Sequence, residues 1–363
     1  MTRLGYQIPN FTYPGIESAD TFANVIAQAQ AAEAAGFDRV FVMDHFYQLP
    51  GIGAPSEPMF ECYTLLSALA QHTTSVRLSA LVTGNTYRHP TLLAKTITAL
   101  DHVSGGRATL GIGAGWFELE HNSLGYEFGT FTDRFEKMEE ALQIITPMLR
   151  GETVSLDGRH YQVTDAINSP PPISRVPIMI GGSGEKKTLR MVAQYADESN
   201  LASGGIDEIP RKLDALAAHC ERLGRDRSEV KVTKLQMVFI APTMEEAEQD
   251  LREVAAVKGW NDEVMEMIKG ILIYGDADTV GERLQACMAT GIDGMTINLP
   301  RGADVFVFFS PTRPIAVDAV DALDAVPLAS IVDVVVAPFA RVDALFARPL
   351  GVAAAAAASR AAR

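Results

Sequence analysis

The chain is poor in several things, and each shortage excludes something. It has three cysteines, Cys62, Cys220 and Cys287, odd in number and far apart. Such spacing supports neither a disulfide framework nor a cysteine metal site, and it fits reduced thiols in a cytoplasmic protein. The seven histidines are scattered, with no HxH or HExxH pair, so no metal is expected. No run of about 20 apolar residues offers a membrane span. The start, MTRLGYQIPNF, lacks the charged-then-apolar layout of a signal peptide. Basic residues are outnumbered, 31 Lys and Arg against 45 Asp and Glu. The resulting net charge of −14 speaks against nucleic acid or an anionic membrane as partner, and for a small-molecule substrate.

What the chain does have is apolar residues, 47% of its 363 positions, enough for one large α/β domain. Strand-like runs recur at Leu4–Ile8, Phe37–Met43, Val76–Thr83, Arg107–Ile112, Pro177–Ile180, Glu198–Leu201, Lys231–Ile240 and Ile292–Asn298. Helical patterns fall between them, among them Glu57–Gln71, Thr132–Leu149 and Glu185–Tyr195. About eight strand–helix units predict a closed (β/α)8 barrel over residues 1–300 in preference to an open sheet. Residues 151–175 depart from the alternation. Glu152–Val163 alternates around Asp157-Gly158, a hairpin signature, and a proline-rich loop follows, so this stretch reads as an insertion. Residues 301–363 also depart. From Gly302 onward there is no Lys, Glu, Asn, Gln, Tyr, Met, Cys, Trp or His, and the apolar spacing is not that of a helix. This Ala/Val/Asp-rich tail is expected to be a disordered extension or the product of a shifted reading frame.

Four stretches carry candidate chemistry. In FDRVFVMDHF the apolar run of a buried strand stops on Asp44-His45, at the carboxyl end where α/β folds keep their active groups. His45 there either handles a proton or belongs to a capped strand end. In the loop Thr83–Pro90, Asn85, Thr86 and Arg88 either hold a heterocycle or phosphate, or cap the helix that starts at Pro90. In Gly111-Ile-Gly-Ala-Gly-Trp-Phe-Glu118, bare backbone admits a flat ligand with Trp116 as a wall. No acidic residue follows at dinucleotide spacing. Gly181-Gly182-Ser183-Gly184 precedes a helix and aims backbone amides at an anion, with Lys186 and Lys187 as added charge, unless it is a plain strand–helix turn. It is not an NTPase loop, since GK[ST] is missing.

Taken together, VFVMDHF, TGNTYRHPTLLAKTITALDHVSGGRATLGIGAGWFELEH, GTFTDRFEKMEEAL and VPIMIGGSGEKKTLRMVAQYAD resemble the bacterial luciferase-like family. Their nearest likeness is to its branch of F420-dependent (deazaflavin) oxidoreductases. The resemblance covers roughly residues 3–300. It implies a TIM barrel with an insertion near the fifth strand, and coenzyme F420, or alternatively FMN, at the carboxyl ends of the strands. By motif match, Asp44 and His45 are the catalytic pair near the reactive ring. Ala80, Leu81 and Val82 form a bulged strand behind the ring, where the family often has a non-proline cis peptide. Thr83 and Asn85 lie near the ring edge, Gly115 and Trp116 line the pocket, and Gly181, Gly182, Ser183 and Gly184 hold the phosphate. Trp116 stands where the sugar phosphate dehydrogenases of the family carry a glutamate, which points to a different substrate. The expectation is an F420-dependent oxidoreductase, commonly a homodimer. An FMN monooxygenase and a non-catalytic flavin-binding barrel are the alternatives.

Overall fold

The computed structural model describes residues 3–13, 16–258 and 260–299. In chain order its elements are β1 (Arg3–Ile8), α1 (Thr21–Ala34), β2 (Arg39–Val42), α2 (Cys62–Ala70), β3 (Arg77–Ala80), β4 (Thr83–Gly84), α3 (Pro90–Val103) and β5 (Leu110–Gly113). Next come α4 (Glu118–Leu124), α5 (Phe131–Leu149), β6 (Val154–Asp157), β7 (Gln162–Ala166), β8 (Ile178–Gly181), α6 (Thr188–Tyr195), β9 (Glu198–Leu201) and α7 (Ile209–Leu223). The described chain ends with β10 (Lys231–Ile240), α8 (Met244–Lys258), α9 (Asp262–Lys269), β11 (Ile273–Gly275), α10 (Ala277–Met288) and β12 (Gly294–Asn298).

The strands pair in the order β3-β2-β1-β12-β10-β9-β8-β5-β4. β3 and β4 are two halves of one strand separated by Leu81 and Val82, so this order is a closed ring of eight parallel strands, the expected TIM barrel. Alternation along each strand explains the closure. Tyr6, Ile8, Val40, Val42, Leu78, Leu110, Ile178 and Ile180 belong to the apolar core that also takes in the helices. Intervening residues meet one another inside the ring. Arg39 of β2 makes a buried two-pronged ion pair with Glu198 of β9. Nearer the carboxyl ends, Asn200 donates to Thr233 (2.9 Å) and Thr296 (3.2 Å), and Asn298 donates to Gln7 (3.1 Å). These side chains thus find partners across strands, although Arg39 Nε and the carboxamide oxygens of Asn200 and Asn298 have none among the described residues.

Some elements differ from the sequence pattern. The run Val76–Thr83 is not one strand: it breaks after Ala80, and the Leu81–Val82 peptide is cis, as the family resemblance implied for this stretch. The helix expected from Glu57 starts at Cys62, because Glu61 caps it by accepting from the Thr64 amide at 2.7 Å. The helix expected from Glu185 starts at Thr188, after a turn. Between α5 and β8, β6 and β7 form an antiparallel hairpin with Leu156 opposite Val163. Its turn is four residues long, not the two of Asp157-Gly158. The Glu140 carboxylate of α5 holds that turn by accepting from the amides of Arg159, His160 and Tyr161, each at 2.9 Å. The tail singled out in the sequence, residues 301–363, lies outside the described residues. Among the described residues no helix is long and apolar enough to cross a membrane.

Candidate active site at the barrel mouth

Because all eight barrel strands are parallel, the segments that follow β2, β4, β5 and β8 gather at one end of the ring. Asp44 and His45 follow β2. They are neighbours in the chain but have different hydrogen-bond partners. Asp44 is buried, with both oxygens occupied. Arg88 donates to them in a fork (2.7 and 3.0 Å), and the Gly84 amide adds a third bond at 3.0 Å. Arg88 also reaches Glu61 (2.7 Å) and lies over the Tyr63 ring. Burial pushes the Asp44 carboxyl above the usual range, against the pull of the Arg88 charge.

His45 has a different set of neighbours. Its Nδ1 is 2.8 Å from Oε2 of Glu120, a side chain with no exposed surface that α4 carries in from behind the Gly111–Gly115 turn. Oε2 also accepts from the Tyr87 hydroxyl at 2.5 Å, and Oε1 accepts from the amides of Phe46 and Tyr47. Burial alone would raise the pKa of Glu120. The His45 contact, the Tyr87 hydroxyl and the Tyr47 amide outweigh it and hold the carboxyl below its ordinary range. The rings of Trp116 and Phe117 meet the imidazole edge to face, each at 5.8 Å. His45 Nε2 makes no hydrogen bond among the described residues. Trp116, 60% exposed, stands at the rim beside it.

The remaining candidates divide between ligand-facing and structural positions. Leu81 and Val82 are half-buried between the buried Ala80 and Thr83. Val82 packs where a side chain would begin on Gly113 and Gly181, so those two glycines make room for it. Ala80 belongs to the apolar core behind the strand and is not presented to the mouth. Thr83 bonds to the Tyr63 hydroxyl. Asn85 is buried with its side chain toward the Tyr161 hydroxyl, a contact short of full hydrogen-bond geometry, and its carboxamide has no other partner among the described residues. Thr86 is engaged with His121 at 2.7 Å, and Arg88 with Asp44, so neither is free to hold a ligand as one reading of the loop expected. His89 does cap α3, its ring accepting from the Thr91 amide. Gly115 has φ +81°, and a side chain there would strike Thr86.

The Gly181–Gly184 corner follows β8, the fifth strand of the ring. Gly182, at φ +124°, turns the chain out after bonding to Asn200 O at 3.0 Å. The Ser183 hydroxyl ties the corner to Ser203 (3.2 Å). The amides of Ser183, Gly184, Glu185 and Lys186 make no hydrogen bond among the described residues. Free N–H groups before a helix start are the kind of arrangement that can hold an anion. Lys187 does not add to it as expected, since its ammonium lies over the rings of Phe131 and Phe135. Sequence reasoning missed Glu120 and Tyr87. The one available signal was that α4, ELEHNSL, has no apolar face and therefore buries polar residues, Glu120 and His121, if it packs at all.

Comparison with known proteins adds a second kind of finding. The family model described as luciferase-like monooxygenase matches residues 2–294. A protein of Microbacterium testaceum named F420-dependent glucose-6-phosphate dehydrogenase is 34% identical over 204 residues. That alignment takes in 55% of this chain and 59% of the relative, less than two thirds of its length. A protein of the same name from Nakamurella multipartita is 31% identical over 260 residues, 70% of this chain and 73% of the relative. A solved F420-dependent secondary alcohol dehydrogenase, in complex with an F420-acetone adduct, has a TM-score of 0.71 at 19% identity. It covers 82% of this chain and 93% of its own, and it shares the fold.

Proposed function

The chain belongs to the luciferase-like monooxygenase family, and from that premise we propose that it is an oxidoreductase that moves a hydride between coenzyme F420 and a small organic substrate. One observation carries the reading. At one barrel mouth, an imidazole with an unbonded Nε2 shares the rim with a corner of four unpartnered amides and the Asn85 carboxamide. Of the three, the Asn85 carboxamide is buried, and a buried polar group short of partners is costly unless a ligand completes it; the amides and the imidazole nitrogen are open at the mouth. A flat, polar-edged ring with an anionic tail fits all three.

The coenzyme, when bound, supplies the hydride chemistry. The chain supplies the rest. The amides of Ser183 and Gly184 and the start of α6 hold the anionic tail. Leu81 and Val82 form the surface behind the ring, and Asn85 offers one donor and one acceptor to its edge. His45 takes a proton from the substrate oxygen, or returns it, through Nε2. Asp44, closed in by Arg88 and the Gly84 amide, anchors the loop that carries His45 and does not exchange protons with substrate. Trp116 and Phe117 give the substrate side an apolar wall. With the indole where sugar phosphate dehydrogenases of the family carry a glutamate, the substrate is a less polar molecule than a sugar phosphate. Homodimeric assembly and a cytoplasmic location belong to the same reading.

FMN is the second reading, supported by the family's monooxygenases and by an anion corner that suits either phosphate. Titrating the purified protein with F420 and with FMN decides between them. Tighter binding of F420 is expected; binding of FMN alone makes the protein a monooxygenase, and binding of neither ends the proposal. With F420 bound, His45→Ala is expected to lower turnover by about 10²–10⁴-fold with coenzyme affinity unchanged. Undiminished turnover would remove His45 from the reaction.

A further inference from the structure

We propose that Glu120 is the positioning residue for His45: it keeps the imidazole proton on Nδ1 and leaves Nε2 as the ring's acceptor at the barrel mouth. The inference rests on the reading of His45 as the proton-handling group. Its first test needs neither coenzyme nor substrate.

An ionised carboxylate only accepts hydrogen bonds. Glu120 has no exposed surface, and both of its oxygens are occupied: Oε1 by the amides of Phe46 and Tyr47, Oε2 by the Tyr87 hydroxyl and by Nδ1 of His45 at 2.8 Å. A ring nitrogen facing such a group must donate. In the neutral imidazole the other nitrogen then carries the lone pair. The two amides come from the residues directly after His45, so one carboxylate fixes both the backbone that carries the imidazole and its tautomer. Trp116 and Phe117 fix the ring plane from the other side.

In the oxidising direction the step balances as follows. With F420 bound and an alcohol as substrate, the C–H bond would break and its electron pair would pass, as hydride, to the coenzyme, which would be reduced. The O–H proton passes to His45 Nε2, and the carbonyl forms as the alcohol carbon is oxidised. The imidazolium so made lies against the negative charge of Glu120. In the reducing direction the same proton returns from Nε2 to the oxygen.

Glu120→Gln separates this role from mere packing. The Phe46 and Tyr47 amides still require an acceptor, so the glutamine oxygen stays toward them and its NH2 faces His45. That group donates to Nδ1, and the proton of the neutral ring moves to Nε2. Nitrogen-15 NMR of histidine-labelled apoprotein reads the tautomer, with the His45 signal assigned by its loss in His45→Ala. The wild type is expected to show Nδ1–H with a bare Nε2, and Glu120→Gln the reverse. Turnover is expected to fall about 10²–10⁴-fold, with KM and F420 affinity changed less than threefold. Tyr87→Phe, which removes a bond to Glu120 without offering a donor, should keep the wild-type tautomer. An Nε2–H tautomer in the wild type, which requires no variant to fold, would overturn the proposal. So would an unchanged tautomer or full turnover in Glu120→Gln. Should the protein bind no F420, the proposed function fails while the tautomer in the apoprotein still tests this inference.

Discussion

Asp44 and His45 are adjacent in the chain and belong to two different networks. Asp44, Arg88 and Glu61 form a closed set. The guanidinium fork, the Gly84 amide and the second carboxylate give every charge in the set a partner. His45, Glu120 and Tyr87 form an open set in which the carboxylate is saturated but one imidazole nitrogen is not. The difference lies in what is left over. A buried ion pair with all its bonds made stabilises a loop, whereas a buried network ending in a free, basic atom is built to exchange a proton.

The sharpest way to break this comparison is to remove one member of each set and measure stability. Asp44→Ala leaves the Arg88 guanidinium, 12% exposed, with only its outer partner. An uncompensated buried charge costs about 3–5 kcal/mol, read as a lowered urea midpoint. His45→Ala removes one hydrogen bond to a carboxylate that keeps three others, and should cost less, about 1.5–3 kcal/mol. Equal losses would mean that the two networks are one structural unit.

The sequence made one half of this comparison legible and hid the other. The strand end was readable because the apolar run Val40–Met43 stops on two polar residues. The partners were not, because Arg88 lies 44 residues from Asp44 and Glu120 lies 75 from His45, and only folding brings them together. Barrel closure was readable from eight alternating units. The break in the third strand was not legible in VRLSALVT itself, which reads as one continuous run; the family resemblance pointed to it, and the Leu81–Val82 peptide is cis. Ala80, alternating with Leu78, lies on the core side, where contact with the ring was expected. The GGSG corner was readable from local composition alone. Its helix starts three residues late because Glu185–Lys187 form a turn first.

Acid sharpens the comparison further. Glu120 is held below the pKa of an unfolded glutamate, near 4.3, so folding is favoured by its ionised form. That stabilisation is fully present above the unfolded value and is lost as pH falls through the lower, folded one. Wild type and Glu120→Gln should therefore differ most at neutral pH, and their urea midpoints should converge as pH is taken from 7 toward 3. Burial moves the Asp44 pKa the other way, so its own slope has the opposite sign, and being present in both proteins it cancels from the difference. Midpoints that stay a constant distance apart would show that the charge of Glu120 does not matter to the fold.

The smallest effect is expected at the outer edge of the closed set. The Glu61 side chain is 41% exposed, its bond to Arg88 is the second of two carboxylate contacts, and it also caps α2 by accepting from the Thr64 amide. Glu61→Gln keeps an oxygen for that amide and leaves Arg88 its fork with Asp44. It should therefore cost no more than about 0.2–1 kcal/mol, as exposed pairs do, and the difference should shrink further in 0.5 M salt by about the degree that a Debye length of a few ångströms implies. A loss matching that of Asp44→Ala would place the structural charge pair at the surface and leave Asp44 available for chemistry. The closed and open networks would then exchange roles.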